Sequence, residues 1–226
     1  VAAAATAGLA AYEVWAWPDV GALARQRPAT TAFIERYRGE QRARGHADRV
    51  DWRWVPYAAI APSVKRAVLV AEDINFFSHR GFDFAQLEEA FREAVAEGEL
   101  PRGASTISQQ LAKNLWLSPS RDPYRKLKEA LLTWQLERRL DKRRILELYL
   151  NTAELGPGIF GVEAASRRYF GKTAAEVTDA EAAQLAAALP NPAAWHPGAT
   201  SRVYRRRVAT ILRRMDQAGF LARPLG

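Results

Sequence analysis

From Pro62 onward the chain is one helix-length segment after another, with apolar residues at three- and four-residue spacing and Gly or Pro between segments. Almost nothing in it alternates with the two-residue period of a half-buried strand. That pattern confines the fold to the mainly α class. Pro62 and Ser63 open the apolar run SVKRAVLVAED, in which Pro suits a first helical position. Phe82 to Glu97 reads as a second helix, with Phe84, Leu87, Phe91 and Val95 on one face. Further helices are predicted at 105–115, at 124–140 with Leu127, Leu131 and Trp134 in register, and from Lys142 to about Leu150. Others fall near 162–169 and at 179–188, where Thr178 and Glu181 offer a capping box, and a basic helix of 200–218 follows. Thr31–Arg38 also has helical spacing, and Trp52, Trp54, Val55 and Tyr57 make a short extended piece. Residues 98–103 and the stretch holding Gly156, Pro157, Gly158 and Gly161 read as loops.

With 226 residues the chain can bury a full core. It has no cysteine, which excludes a disulfide scaffold, a thiolate metal site and a thiol nucleophile. Three scattered histidines, His46, His79 and His196, argue against a multi-histidine metal centre. A net charge of +8 favours an anionic partner. Residues 1–17 are apolar apart from Glu13, too short to span a bilayer alone but suited to the remnant of a transmembrane anchor, with Trp15 and Trp17 at the interface. Residues 18–50 form an Arg-rich connecting segment, leaving 51–226 as the principal domain.

Three fragments carry chemistry. In Glu72-Asp73-x-x-Phe76-x-x-His79-x-Gly81 two carboxylates end an apolar helix, where the helix dipole disfavours negative charge. Such groups are candidates for a raised pKa and general-base work, although a plain helix terminus has the same appearance. Gly103 to Asn114 feeds a Gly loop into a hydroxyl-rich helix start, Ser105 and Thr106, followed by Gln109, Gln110 and Lys113. Free N–H groups at such a start can hold an anion or a sugar hydroxyl, and ordinary N-capping is the competing explanation. Between Arg121 and Arg144 stand nine basic and four acidic side chains, with Arg125 and Lys126 one turn before Glu129. This is either a surface salt-bridge pattern or a carboxylate held beside phosphate-binding cations. There is no Walker loop, strand–GxGxxG–helix unit, G-x-S-x-G elbow or S-x-x-K motif.

In order along the chain come EDINFFSHRGFDF, RGASTISQQLAKNLWL, RKLKEALLTWQLE and KRRILELYLNTAELGPGIFGVEAASRRYFGK. Together with ALPNP at 188–192 they resemble the peptidoglycan glycosyltransferases of family 51, the monofunctional members above all. The same domain also stands at the front of class A penicillin-binding proteins. The likeness covers roughly residues 50–215.

The resemblance implies a lysozyme-like, bilobal helical domain with a larger head and a small membrane-associated jaw around an elongated groove. It implies polymerisation of lipid II, with the growing chain as donor, at the outer face of the bacterial cytoplasmic membrane and behind a single-pass anchor. By position, Glu72 matches the general base that deprotonates the acceptor 4-hydroxyl, and Glu129 the second essential glutamate. Lys113, Arg121, Arg125 and Lys126 match the cations around the pyrophosphate. Ser105, Thr106, Gln109 and Gln110, with Asn114 beside Lys113, match the motif lining the groove. His79 and Gly81 are expected to shape the first motif. No tightly bound cofactor is implied; a divalent cation, Mg or Mn, often stimulates relatives, but no ligand spacing for one is readable. Leu115, Trp116 and Leu117 are expected in the jaw, against the bilayer. The helix bearing Arg202, Arg205, Arg206, Arg207, Arg213 and Arg214 is expected to show an exposed basic face to anionic headgroups.

Displacing an α-linked pyrophosphate to make a β-1,4 bond is one inverting step, needing a base on the acceptor side and charge neutralisation on the leaving side. A glycosidase needs a protonated carboxyl instead. Cations one turn from Glu129 make it a poor proton donor, which favours transfer over a muramidase or lytic transglycosylase. A non-enzymatic basic module would leave the Glu72 and Gln109 motifs without a purpose.

Overall fold

The computed structural model describes residues 16–97, 105–120 and 122–225. Of the expected anchor remnant, residues 1–15 lie outside the described residues, as do the 98–103 loop and Arg121. No helix among the described residues is long and apolar enough to cross a membrane.

The longer helices are α1 (Ala32–Ala43), α2 (Pro62–Glu72), α3 (Phe84–Glu97), α4 (Ile107–Trp116), α5 (Pro123–Arg139), α6 (Lys142–Thr152), α7 (Val162–Phe170), α8 (Asp179–Ala188) and α9 (Arg202–Gln217). Their starts are chemically marked. Thr106 and Gln109 form a reciprocal capping box on α4, and Thr178 and Glu181 form the predicted one on α8, each satisfying two otherwise orphaned N–H groups. Asp122 and Asp141 cap α5 and α6. Gly171, in the left-handed region, ends α7.

Two packed groups share one core. In the first, α2 lies against α8 and α9; in the second, α4 lies between α5 and α6, with α1 across it. Val64, Ala67, Val68 and Leu69 of α2 are sealed inside, as the apolar run required. Where the sequence read as a loop, Glu154–Gly156 (β2) and Ile159–Phe160 (β3) form a hairpin. Asp51–Trp52 (β1) pairs in parallel with β3, giving the order β1-β3-β2. Strands of two or three residues carry no readable alternation. Asn151 ties this sheet to α6, its amide joining Val55 on both backbone sides while its own carbonyl accepts from Trp52 Nε1 at 2.7 Å. A Cβ on Gly161 (φ +80°) would lie 2.6 Å from that carbonyl oxygen, so only glycine fits.

The bilayer role expected of Leu115, Trp116 and Leu117 is overturned. Leu115 and Leu117 are buried in the core and Trp116 packs against it, because this end of α4 is enclosed by its neighbours. The apolar faces left uncovered lie elsewhere. Phe84, Leu87, Phe91 and Val95 on α3 are exposed, and so are Tyr124, Leu127, Leu131 and Trp134 on α5. The basic α9 is exposed at Arg202, Arg205, Arg206, Arg213 and Arg214, but Arg207 departs from the expected face and turns inward.

Candidate active site

Glu72 closes α2, and its side chain is 12% exposed. Its Oε1 accepts from Arg207 Nη2 of α9 at 2.7 Å and its Oε2 from Gln110 Nε2 of α4 at 2.9 Å. Gln110 Oε1 in turn accepts from the Tyr149 hydroxyl of α6 at 2.9 Å. Burial pushes the Glu72 carboxyl above the usual carboxylate range, while Gln110, Arg207 and Lys113 pull it back. A carboxyl raised this way is, when ionised, a stronger base than a free glutamate. A cavity opens on Glu72, and a second one opens on its partner Gln110. One, of about 560 Å³, is lined by Glu72, Asp73, Ile74, Gln86, Arg214 and Phe220. The other, of about 530 Å³, runs past Gln110, Lys113, Asn114 and Tyr149 between α1 and the Pro190–Pro192 turn.

Glu129 sits on α5, buried, with Arg125 Nη1 donating to its Oε2 at 2.7 Å and Lys126 Nζ donating to its Oε1. The i,i+4 and i,i+3 spacing read in the sequence is therefore a real pair of contacts. Lys113 lies within electrostatic reach of both glutamates. Burial pushes its ammonium down, Glu129 opposes that, Arg125 and Lys126 add to it, and Glu72 also reaches it. Its ammonium lies 5.7 Å from the Phe33 ring centroid.

The structure divides the polar residues of the second motif. Gln110, Lys113 and Asn114 line the 530 Å³ cavity. Ser105 is exposed at the start of α4. Thr106 and Gln109 are buried; the Thr106 hydroxyl donates to the Gly81 carbonyl at 2.7 Å and Gln109 closes the capping box. These two build the helix start that the groove residues stand on. Sequence reasoning missed Arg207 and Tyr149 as members of the site.

Asp73, His79 and Asp83 bring ligand atoms within 4.8 Å of one another, the spacing of a metal centre. Their donors are already spent. His79 Nδ1 accepts from Gly81 N–H, so Nε2 carries the proton and donates to Asp73 at 2.9 Å. Asp73 Oδ2 also accepts from Ile107 N–H at 2.9 Å, and Asp83 accepts from Asn75 and from the Gln86 N–H. Glu72 and Glu129 likewise give their oxygens to nitrogen donors. The Asp73 cluster is a latch that fixes the loop after α2 onto the start of α4. Asp73→Ala leaves the buried Ile107 N–H and the His79 ring without their acceptor and is expected to cost about 2–4 kcal/mol, read as a lowered urea midpoint with unchanged m-value.

A carboxylate at a helix end that opens on a cavity, and a second one clasped by cations, both within an α-helical fold, are groups that suit an enzyme of glycan transfer chemistry. The transglycosylase family model matches residues 39–216, and the chain belongs to that family. Its relatives include the biosynthetic peptidoglycan transglycosylase of Thiobacillus denitrificans, 45% identical over 213 residues (94% of this chain and 92% of the relative). That of Laribacter hongkongensis is 42% identical over 209 residues, 91% of this chain and 90% of the relative. That of Azoarcus sp. is 46% identical over 189 residues, 84% and 82%.

Proposed function

We propose that the chain is a peptidoglycan glycosyltransferase of cell-wall biosynthesis, polymerising lipid II into β-1,4-linked glycan with inversion and release of undecaprenyl pyrophosphate. The observation that carries this reading is Glu72, 12% exposed and held by Gln110 and Arg207, together with Glu129 clasped by Arg125 and Lys126, and Lys113 within electrostatic reach of both carboxylates. Glu72 takes the proton of the acceptor 4-hydroxyl as that oxygen bonds to the donor C1. The C1–oxygen bond to pyrophosphate breaks, and the leaving group keeps the electron pair beside Lys113, Arg125 and Lys126. Hydrolysis would require a protonated carboxyl on the leaving side. The carboxylate on that side has both oxygens engaged by cations. Labelled lipid II, incubated with the protein in detergent and resolved by gel with and without moenomycin, tests the reading. It predicts a glycan ladder that moenomycin abolishes; shortening of preformed glycan with no ladder would reverse it.

A lipid-linked substrate has to be met at a membrane surface. The uncovered stripes of α3 and α5 supply an apolar area, and the guanidinium of Arg138 lies 4.8 Å from the Trp134 ring centroid at one end of it. Phe91→Ser with Leu127→Ser is expected to weaken liposome flotation about thirtyfold, each substitution removing about 1 kcal/mol of partial burial. Unchanged flotation would remove the stripes from the membrane-facing surface. The single-pass anchor expected from residues 1–17 belongs to this same reading.

A further inference from the structure

We propose that Tyr149 is a positioning residue for catalysis: its hydroxyl holds the Gln110 amide in the one orientation that gives Glu72 a hydrogen-bond donor. The inference rests on Glu72 being the base of the proposed glycosyltransferase.

The argument is one of donors and acceptors. The Glu72 carboxylate and the Ser105 carbonyl can only accept, and both face Gln110 Nε2, at 2.9 Å and 3.5 Å. The amide therefore presents its two N–H groups on that side, and its oxygen is turned toward the interior. There it needs a donor, since a buried amide oxygen without one is unfavourable. Tyr149, fully enclosed on α6, supplies it at 2.9 Å. Burial pushes the phenol well above its ordinary pKa, so it remains a donor throughout the working range. Accepting from Tyr149 polarises the amide and strengthens its N–H groups toward Glu72.

Without the hydroxyl, the amide loses the contact that keeps it inward, and the cavity it lines gives it space to leave. Glu72 would then face Arg207 from α9, Lys113 from α4 and the neighbouring Asp73, with no amide donor left. The Gln110 bond favours the ionised form of Glu72, so its loss moves the carboxyl further up. The acid side of the activity profile moves with it. Tyr149 would thus act on the rate below neutral pH and hardly at all above it, unlike a residue that only holds the core together.

The test is Tyr149→Phe, which keeps the ring in place and removes one oxygen. Turnover of lipid II is measured from pH 5 to 9, with the melting temperature as a check on folding. The acid limb is expected to rise by about one pH unit, with turnover about tenfold lower at the foot of that limb, rates approaching wild type at pH 9, and KM for lipid II within twofold. Gln110→Ala should shift the limb the same way, and Tyr149→Phe should add nothing in the Gln110→Ala background. Glu72 is also titrated directly by carbon-13 NMR of glutamate-labelled protein, assigned with Glu72→Gln, and its midpoint should rise in Tyr149→Phe. This readout needs no turnover. If it moves while the wild type makes no glycan, the glycosyltransferase reading falls and the positioning role stands. An unshifted Glu72 midpoint, a uniform loss of rate at every pH, or multiplying effects in the double variant would overturn the proposal.

Discussion

Glu72→Gln is expected to lower glycan polymerisation by a factor of about 10²–10⁴, the usual contribution of a positioned base, while lipid II binding stays within a fewfold of wild type. The substitution is nearly isosteric, and the pocket it leaves behind is still polar. Arg207 can donate to the new amide oxygen, so the cleft keeps its shape. What disappears is a proton acceptor at the acceptor hydroxyl. The wild-type profile carries the same message. Because burial raises the Glu72 carboxyl, activity should fall with decreasing pH well before an exposed glutamate would protonate. Loss occurs on the acid side because the base works only when ionised. In Glu72→Gln any residual activity should lack that limb. Rapid single-turnover assays on pre-bound lipid II separate the two quantities, and a variant that polymerises at the wild-type rate would remove Glu72 from the reaction.

The second large effect is expected from Glu129→Gln, which should reduce turnover about 100-fold, comparable to removing one preorganised charge-stabilising contact. Glu129 is buried and engages Arg125 and Lys126 with separate oxygens, so it holds two cations at a defined separation. A glutamine can satisfy one of them through its carbonyl, but turns an N–H₂ group toward the other. The Arg125 side chain, 15% exposed, then sits with its charge less compensated. It is expected to swing away from the position that receives the leaving pyrophosphate, which shows as lost turnover and weaker moenomycin binding. Stability should drop by about 1–3 kcal/mol, less than for a fully buried pair because Lys126 is half exposed. Arg125→Ala with Glu129→Gln should be little worse than Glu129→Gln alone, since the two act as a unit. Wild-type turnover in Glu129→Gln would make the cluster a structural salt bridge.

Several of these features could be read directly from the residues. Thr178 and Glu181, three apart before an Ala-rich run, announced a capping box, because capping is a local interaction that the chain settles by itself. Glu72 at the end of an apolar run and Glu129 one turn after two cations were visible for the same reason. The failures share a cause. The Leu115–Leu117 run resembled a bilayer contact because three consecutive apolar residues do not say which neighbour covers them, and here the core does. Conversely, the evenly spaced apolar residues of α3 and α5 have the pattern of core faces, yet they stand exposed among the described residues. Thr106 and Gln109 read as groove residues by motif, yet the capping box turns both inward. By its charge alone Arg207 groups with its neighbours on the exposed basic face of α9. One signal could have marked it: Tyr204, Ile211 and Met215 define the inner face of α9, and position 207 falls on that face. A single arginine on a buried stripe implies an anionic partner, and its partner lies 135 residues earlier.

That separation bears on when the protein becomes active during its own synthesis. Glu72, Gln110, Lys113, Glu129 and Tyr149 all leave the ribosome before the arginine that completes the carboxylate's surroundings. Until α9 has been made and has docked, Glu72 lacks the cation that helps keep it charged. A nascent or C-terminally clipped chain would then hold its base in a more readily protonated state and be a poor polymerase. Competence to join sugars is thereby tied to arrival of the last long helix, so that a half-made chain would not start glycan strands before its fold is finished.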